Sequence, residues 1–182
     1  MAHEDVVMAG FGGQGVLAIG KILAKAAMEE GHQVTWFPAY GPEMRGGTAN
    51  CVVVIDDVPI GSPIAPRPKS ALVMNKQSID KFEPAVASGG LIIVNTSLID
   101  RLVARTDLHV IYVAATDLAD QEGTTRSANL VMLGAYCGAR NLVKKETLEH
   151  AIETTFAGKD AKLVQTNLRA FVRGYEAATK GN

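Results

Sequence analysis

The stretch Asp5-Val-Val-Met-Ala-Gly10-Phe-Gly-Gly-Gln-Gly15 decides the fold, because a short apolar run leads directly into a glycine-rich turn. Residues 5–10 predict a buried strand, and residues 16–30 carry apolar side chains at helical spacing. A strand, a glycine loop and a helix in this order are typical of α/β proteins. In such proteins the loop lies at the carboxyl edge of a sheet, where ligands bind.

The rest of the chain continues the alternation of strands and helices. Strands are predicted at residues 33–37, 48–55, 70–74, 91–94 and 107–113. Helices are predicted at residues 77–87, 128–140, 145–156 and 161–179, with a loop at 38–47 and a connection at 117–125. This order predicts a three-layer α/β/α sandwich with a largely parallel or mixed sheet and a helical last third. We expect residues 1–182 to form a single domain.

Composition excludes several classes of function. The 182 residues include 18 Lys+Arg and 19 Asp+Glu, and a net charge of -1 leaves no basic footprint for nucleic acid. Apolar runs such as 51–55 are too short to span a membrane, and the polar start is unlike a signal peptide. Cys51 and Cys137 are far apart, so a disulfide scaffold, a zinc site and an iron–sulfur site are not supported. We expect a cytoplasmic protein without nucleic-acid or membrane partners.

The glycine loop matches G-x-G-x-x-G in the context that this motif requires, after a strand and before a helix. Glycines bring backbone N–H groups close to an anion, and the helix N-terminus favours negative charge, so a pyrophosphate is a candidate ligand. NAD is disfavoured because no carboxylate follows the second predicted strand, which ends at Trp36-Phe37-Pro38. A tight strand-to-helix turn with no ligand remains the alternative.

A second glycine-framed segment, Tyr40-Gly41-Pro42-Glu43-Met44-Arg45-Gly46-Gly47, begins at the carboxyl end of the second predicted strand. Arg45 is suited to a phosphate or to a carboxylate of a partner, which it can contact with two N–H groups. The alternative is a surface pair between Glu43 and Arg45 that contributes little to stability. We favour a functional role for this segment.

Together, the two glycine segments resemble the gamma subunit of 2-oxoacid:ferredoxin oxidoreductases, and the resemblance covers nearly the whole chain. Gly61-Ser-Pro63, the run from Arg126 through Asn129 to Ala135, and residues 167–174 are similar to further segments of that family. Thr124-Thr125 departs from it, because relatives often carry an Asn beside the glycine there.

The resemblance implies a complex that oxidatively decarboxylates pyruvate, 2-oxoglutarate or branched-chain 2-oxoacids to acyl-CoA, with ferredoxin as electron acceptor; 2-oxoglutarate is our first expectation. Alpha and beta subunits and a ferredoxin-like delta subunit are the implied partners. Thiamine diphosphate with Mg²⁺, and the iron–sulfur clusters, are expected on those partners, because this chain lacks Gly-Asp-Gly and has two distant cysteines. The chain alone is expected to be inactive, with coenzyme A the ligand that it contacts.

The expected cofactor-binding residues share the two glycine segments and one helix start. They are Gly10, Gly12, Gly13, Gln14, Gly15, Tyr40, Gly41, Glu43, Arg45, Gly46, Gly47 and Asn129. Arg67 and Lys69 are weaker candidates for phosphate contacts, and no catalytic or metal-ligating residue is expected. Asn129 has an alternative role as a helix-capping residue. Two alternatives to the subunit remain: a self-contained nucleotide-binding module and an assembly scaffold that contacts no ligand.

Overall fold

A six-stranded sheet forms the centre of the molecule in the computed structural model, which describes residues 3–40 and 47–180. Its strands are β1 (His3–Phe11), β2 (Gln33–Tyr40), β3 (Thr48–Asp56), β4 (Ser70–Val73), β5 (Leu91–Asn95) and β6 (His109–Val113). They lie in the order β2-β3-β1-β4-β5-β6. Val, Ile and Leu make up most of β5, and every residue of β4 and β5 is buried, as expected for a sheet covered on both faces.

One strand makes the sheet mixed. β3 pairs antiparallel with both β1 and β2, whereas β1, β4, β5 and β6 pair in parallel. Because β1 and β2 are both antiparallel to β3, they point in the same direction. Five strands therefore end at one edge, which we call the carboxyl edge, and β3 begins there. The opposite edge is called the amino edge.

Helices cover the two faces of the sheet unequally. They are α1 (Val16–Glu29), α2 (Lys76–Phe82), α3 (Ala115–Gln121), α4 (Ala128–Arg140), α5 (Lys145–Thr155) and α6 (Ala161–Thr179). The larger apolar core lies between the sheet and α1, α3, α4, α5 and α6. The smaller core lies on the other face, under α2 and the connections beside it. The expected three-layer fold is therefore confirmed. In the described part of the chain, no helix has the length and apolarity needed to cross a membrane.

The two longest helices of the C-terminal region, α4 and α6, pack against each other at glycine positions. A Cβ atom added to Gly134 would overlap the carbonyl oxygen of Phe171, and one added to Gly174 would overlap that of Val131. The helices therefore approach with backbone against backbone, which larger side chains would prevent. Both helices, Ala128–Arg140 and Ala161–Thr179, have the bounds that the apolar spacing predicted.

Three sequence predictions differ from the structure by three residues or more. The connection predicted at 117–125 contains helix α3, whose seven residues give too short an apolar pattern to recognise. Residues 38–40, predicted as loop, belong to β2, and residues 41–46 of that predicted loop lie outside the described residues. Proline is tolerated at residue 38 because β2 is an edge strand. The helix predicted at 77–87 ends at Phe82 and continues as a 3₁₀ turn that contains Pro84.

Candidate functional site

The glycine loop joins β1 to α1 at the carboxyl edge through a tight turn. The amide of Gln14 donates to the carbonyl of Phe11 at 3.0 Å, which closes the turn. Gly13 has φ 102° and Gly15 has φ 75°, a left-handed conformation that glycine adopts without steric cost. The amide of Gly12 donates to the carbonyl of Gly47 at 2.9 Å, so the loop is joined to the residue that precedes β3.

A relay of side-chain amides fixes the loop to α2. The Oε1 atom of Gln14 accepts hydrogen bonds from the amide of Phe11 at 2.6 Å and from Nδ2 of Asn75 at 3.2 Å. Asn75 in turn accepts the amide of Ser78 at 2.9 Å through Oδ1, which caps the first turn of α2. The donors and acceptors of this relay determine the orientation of both side-chain amides.

Asn129 supports the loop from α4. It is 7% exposed, and its Nδ2 donates to the carbonyl of Gly15 at 3.1 Å. A Cβ atom at residue 15 would collide with this side chain, so glycine is required there by space as well as by φ. The N-cap of α4 is Ser127, and Asn129 lies inside the first turn. Asn129 therefore holds the loop in place, and the structure does not support the alternative that it only caps its helix.

An open cavity of about 350 Å³ lies between the glycine loop, the first turn of α1 and the start of β3. Its walls are mostly apolar, with Phe11, Leu17 and Ala49 among the lining residues. In residues 3–40 and 47–180, no hydrogen-bond partner is present for the amides of Gly13, Val16 and Leu17. Unpaired amides at a helix N-terminus bind anions, so this cavity combines an apolar wall with an anion-binding end.

The structure brings together part of the set expected from the sequence. Gly10, Gly12, Gly13, Gln14, Gly15, Gly47 and Asn129 meet at the glycine loop. Tyr40 ends β2 at the same edge. Gly41, Glu43, Arg45 and Gly46 lie outside the described residues. Lys69 lies at the amino edge, where its Nζ donates to the carbonyl of His3, and Arg67 precedes it by two residues. These two weaker candidates do not meet the loop.

Sequence reasoning missed Asn75, which is 3% exposed and contacts Gln14 directly. A usable signal was present, because Asn75 and Asn95 each stand at or just after the end of a buried parallel strand. Polar residues at these positions meet at the carboxyl edge of the sheet. The residues that these two side chains contact, however, lie far from them in the sequence.

The two cysteines do not resemble metal or cluster ligands. Burial raises the pKa of the Cys51 thiol to about 12 and that of Cys137 to about 12, so both stay protonated. Cys51 lies on β3 and Cys137 on α4, and two cysteines are fewer than the four that an iron–sulfur cluster commonly takes. Across the described ranges, no group of three or more His, Cys, Asp or Glu side chains is arranged to hold a metal ion. The described residues therefore offer no clustered set of ligands for a metal ion.

The family becomes clear when the chain is compared with known proteins. The model of the pyruvate ferredoxin/flavodoxin oxidoreductase family matches residues 5–177. The chain belongs to this family. The match includes the glycine loop and Asn129, and it confirms the resemblance drawn from the two glycine segments.

Individual relatives agree with the family. The ketoisovalerate oxidoreductase subunit VorA of Methanothermobacter marburgensis is 42% identical over 177 residues, which are 96% of this chain. The chain spans only 36% of the length of that relative. The crystal structure of a keto/oxoacid ferredoxin oxidoreductase gamma subunit from Geobacter sulfurreducens is 28% identical, with a TM-score of 0.83, and the match covers 97% of this chain and 99% of that one.

A larger assembly shares the fold. It is the 2-oxoglutarate:ferredoxin oxidoreductase from Magnetococcus marinus, solved with 2-oxoglutarate, coenzyme A and succinyl-CoA bound. The match has a TM-score of 0.90 and covers 99% of this chain and 32% of the other. At 20% sequence identity, it is evidence for the fold alone.

Proposed function

We propose that the chain is the gamma component of a 2-oxoacid:ferredoxin oxidoreductase and that its glycine loop contacts coenzyme A. The observation that carries the proposal is the cavity at the glycine loop, with unpaired amides beside an apolar wall, in a chain of this family. Coenzyme A has a matching composition, since a mostly uncharged pantetheine arm is joined to a pyrophosphate. The amides of Val16 and Leu17 are the groups that would contact a phosphate.

The redox chemistry belongs to other subunits in this proposal. The chain has two buried cysteines on different elements, fewer than the four that a cluster commonly takes, and the sequence has no Gly-Asp-Gly for the Mg²⁺ of thiamine diphosphate. Alpha, beta and ferredoxin-like delta subunits would hold these groups, and ferredoxin would accept the electrons. The free thiols of Cys51 and Cys137 support a reducing compartment such as the cytoplasm.

The substrate of the complex is a 2-oxoacid, and 2-oxoglutarate is our first candidate. Similar proteins include a ketoisovalerate oxidoreductase subunit and a 2-oxoglutarate synthase subunit. The described cavity at the glycine loop carries no cationic side chain that would select a second carboxylate. Selection between oxoacids is therefore assigned to the partner subunits that surround the thiamine.

Affinity purification of the tagged chain from its own cells tests the assignment. We expect co-purified subunits that contain thiamine diphosphate and iron–sulfur clusters and that oxidise a 2-oxoacid with coenzyme A and ferredoxin. Activity with pyruvate, 2-oxoglutarate and 2-ketoisovalerate in turn identifies the substrate. A chain that purifies alone with a bound nucleotide and no oxoacid activity would establish the self-contained nucleotide-binding module instead.

The contact with coenzyme A is tested by filling the cavity. Ala18 lines it on the first turns of α1, so Ala18→Phe places a ring in the space assigned to the ligand. We expect the KM for coenzyme A to rise about tenfold in the assembled complex, with the KM for the oxoacid unchanged. Ala177→Phe, at an exposed position of α6, is the matched control. An unchanged KM for coenzyme A in an assembled Ala18→Phe complex would remove the loop from the ligand site.

A further inference from the structure

A second cavity of about 220 Å³ lies on the other side of the glycine loop, between the loop, the end of β4 and the starts of α3 and α4. It shares Gly13 with the first cavity, but its walls differ. Its polar lining comes from Gly13, Gln14, Thr116, Thr125 and Arg126. No carboxylate belongs to the lining among the described residues. The chemical character of the cavity therefore depends on whether these groups donate or accept hydrogen bonds.

Gln14 presents donors to the cavity. Its Oε1 atom already accepts from the Phe11 amide and from Nδ2 of Asn75, so the carbonyl end of the side chain is occupied. Its Nε2 group has two N–H donors and no acceptor in the part of the chain that the structure describes. Since Asn75 is itself oriented by the amide of Ser78, the side chain of Gln14 cannot be reversed without breaking the relay.

Thr116 also acts as a donor. Asn95 is fully buried, and its Oδ1 accepts from the amide of Ala115 at 3.1 Å. Its Nδ2 therefore donates to Oγ1 of Thr116 at 3.1 Å. Because that oxygen accepts from Asn95, the hydroxyl proton of Thr116 remains for another acceptor. Thr116 lines the cavity, and within residues 3–40 and 47–180 no acceptor for that proton is present.

Arg126 supplies the positive charge. It is exposed at the rim of the cavity, and its guanidinium has no ion pair with any described carboxylate. Most other arginines differ, since Arg101, Arg105, Arg140, Arg169 and Arg173 are all paired with acidic side chains. The amide of Gly13 has no partner among the described residues either. The cavity therefore brings an unpaired guanidinium together with neutral N–H and O–H donors that have no acceptor among the described residues.

We propose that this second cavity is an anion subsite that takes a phosphoryl group, with Arg126 as its charged contact and Gln14 and Thr116 as neutral donors. Phosphoryl oxygens accept several hydrogen bonds at once, and arginine binds them with two N–H groups. The identity of the phosphate's carrier rests on the proposed function, in which the carrier is coenzyme A. The apolar cavity then takes the pantetheine arm and one phosphate at the amides of Val16 and Leu17, and the second cavity takes another phosphate of the same ligand on the other side of the loop around Gly13.

Calorimetric titration of the purified full chain with inorganic pyrophosphate tests the subsite without the complex. We expect Arg126→Gln to weaken binding at least tenfold, because a charge-assisted contact is lost. Thr116→Val should weaken it about threefold, as for a single neutral hydrogen bond. Arg67→Gln is the control, since it removes an equal charge from an exposed position near the amino edge. Two results would overturn the proposal. One is an equal affinity of Arg126→Gln and wild type for pyrophosphate. The other is no binding of pyrophosphate by wild type up to 10 mM, roughly the weakest affinity expected of such a contact.

Kinetics of the assembled complex separate this subsite from the proposed function. If both are correct, Arg126→Gln raises the KM for coenzyme A about tenfold and leaves kcat and the KM for the oxoacid unchanged. Repeating the assay with dephospho-coenzyme A, which lacks the 3′-phosphate, identifies the phosphate that Arg126 contacts. If Arg126 contacts the 3′-phosphate, Arg126→Gln no longer raises the KM of this substrate. If Arg126 contacts the pyrophosphate, the rise in KM persists. If Arg126→Gln loses pyrophosphate binding but keeps the wild-type KM for coenzyme A, the subsite is supported and only the assignment of its ligand is overturned.

Discussion

The two edges of the sheet differ in how their polar groups are satisfied. At the amino edge, Glu4 is 7% exposed, and it accepts from the Ser70 hydroxyl at 2.5 Å and pairs with Nε of Arg140 at 3.3 Å. Arg140 also donates to Ser70 Oγ and to the carbonyl of Lys69. At the carboxyl edge, the amides of Gly13, Val16 and Leu17 have no described acceptor. The same holds for the Nε2 of Gln14 and the guanidinium of Arg126.

The difference separates structural polar groups from those available to a ligand. A buried carboxylate without a partner is costly, so Glu4 requires its contacts with Ser70 and Arg140 for stability. Donors beside an open cavity have access to solvent and can exchange water for a ligand at little cost. Substitutions at the amino edge should therefore change stability most, and substitutions at the carboxyl edge should change binding as well.

The largest effect is expected for Arg140→Met, which leaves Glu4 buried without its cation. We expect the free energy of unfolding to fall by about 3 kcal/mol, as when one partner of a buried ion pair is removed. Urea denaturation measures this change. Arg173→Met is the matched control on α6, because its contact with Glu122 is more exposed and should cost less than about 1 kcal/mol. Equal losses for the two variants would contradict the assignment of the amino edge to stability.

Gly15→Ala tests the carboxyl edge. The left-handed φ and the collision with Asn129 should together cost about 2 kcal/mol of unfolding free energy. Gly31→Ala is the control, because Gly31 has φ 89° but open space around its Cβ position, so only about 1 kcal/mol of backbone strain is expected. Urea denaturation of both variants measures how much of the loss in unfolding free energy for Gly15→Ala comes from the collision with Asn129. A Gly31→Ala loss as large as that of Gly15→Ala would show that the collision contributes nothing.

Asn129→Ala removes the hydrogen bond to the carbonyl of Gly15 and should lower the free energy of unfolding by about 1 kcal/mol. The variant also removes the obstacle to a side chain at residue 15. In a double-mutant cycle, Gly15→Ala should therefore cost less in the Asn129→Ala background than in the wild type. Additive losses would mean that the two residues do not interact in solution.

The smallest effect concerns pH. Burial raises the pKa of Glu4 above 4.5, although Ser70 and Arg140 act in the opposite direction. The folded protein then holds this proton more tightly than the unfolded chain, so the contribution of Glu4 to stability decreases as pH rises from 4.5 to the raised value. We expect the unfolding free energy of wild type minus that of Glu4→Gln to decrease across this window. Urea denaturation at a series of pH values measures it.

Asp56→Asn provides a control of opposite sign. Hydrogen bonds from His3 and from the Val58 amide lower the pKa of Asp56 below 3.8. Its contribution is present above the unfolded pKa and is lost as pH falls through the lower folded value. The difference between wild type and Asp56→Asn should thus shrink on acidification. If the differences in unfolding free energy between wild type and Glu4→Gln and between wild type and Asp56→Asn changed in the same direction with pH, the opposite pKa shifts assigned to Glu4 and Asp56 would be contradicted.

The sequence by itself determined the elements whose signals are local. The glycine loop between β1 and α1 follows from adjacent residues, because glycine conformations and apolar spacing are properties of a short segment. The boundaries of α4 and α6 and the family membership were also accessible from residue patterns. The short helix α3 was missed because seven residues carry too little periodicity, and β2 was cut short because Pro38 is tolerated only where a strand lies at an edge.

Only the tertiary structure decided which distant residues meet. β3 lies between β1 and β2, which separates the end of β2 from the glycine loop by a strand; in the dinucleotide-binding fold these two strands are neighbours. The contacts of Asn75 with Gln14, and of Asn95 with Thr116, join segments whose separation in sequence reveals no pairing. Strand order and register depend on the packing of the whole core. For that reason, the donors available to a ligand can be distinguished from the satisfied ones only after the chain has folded.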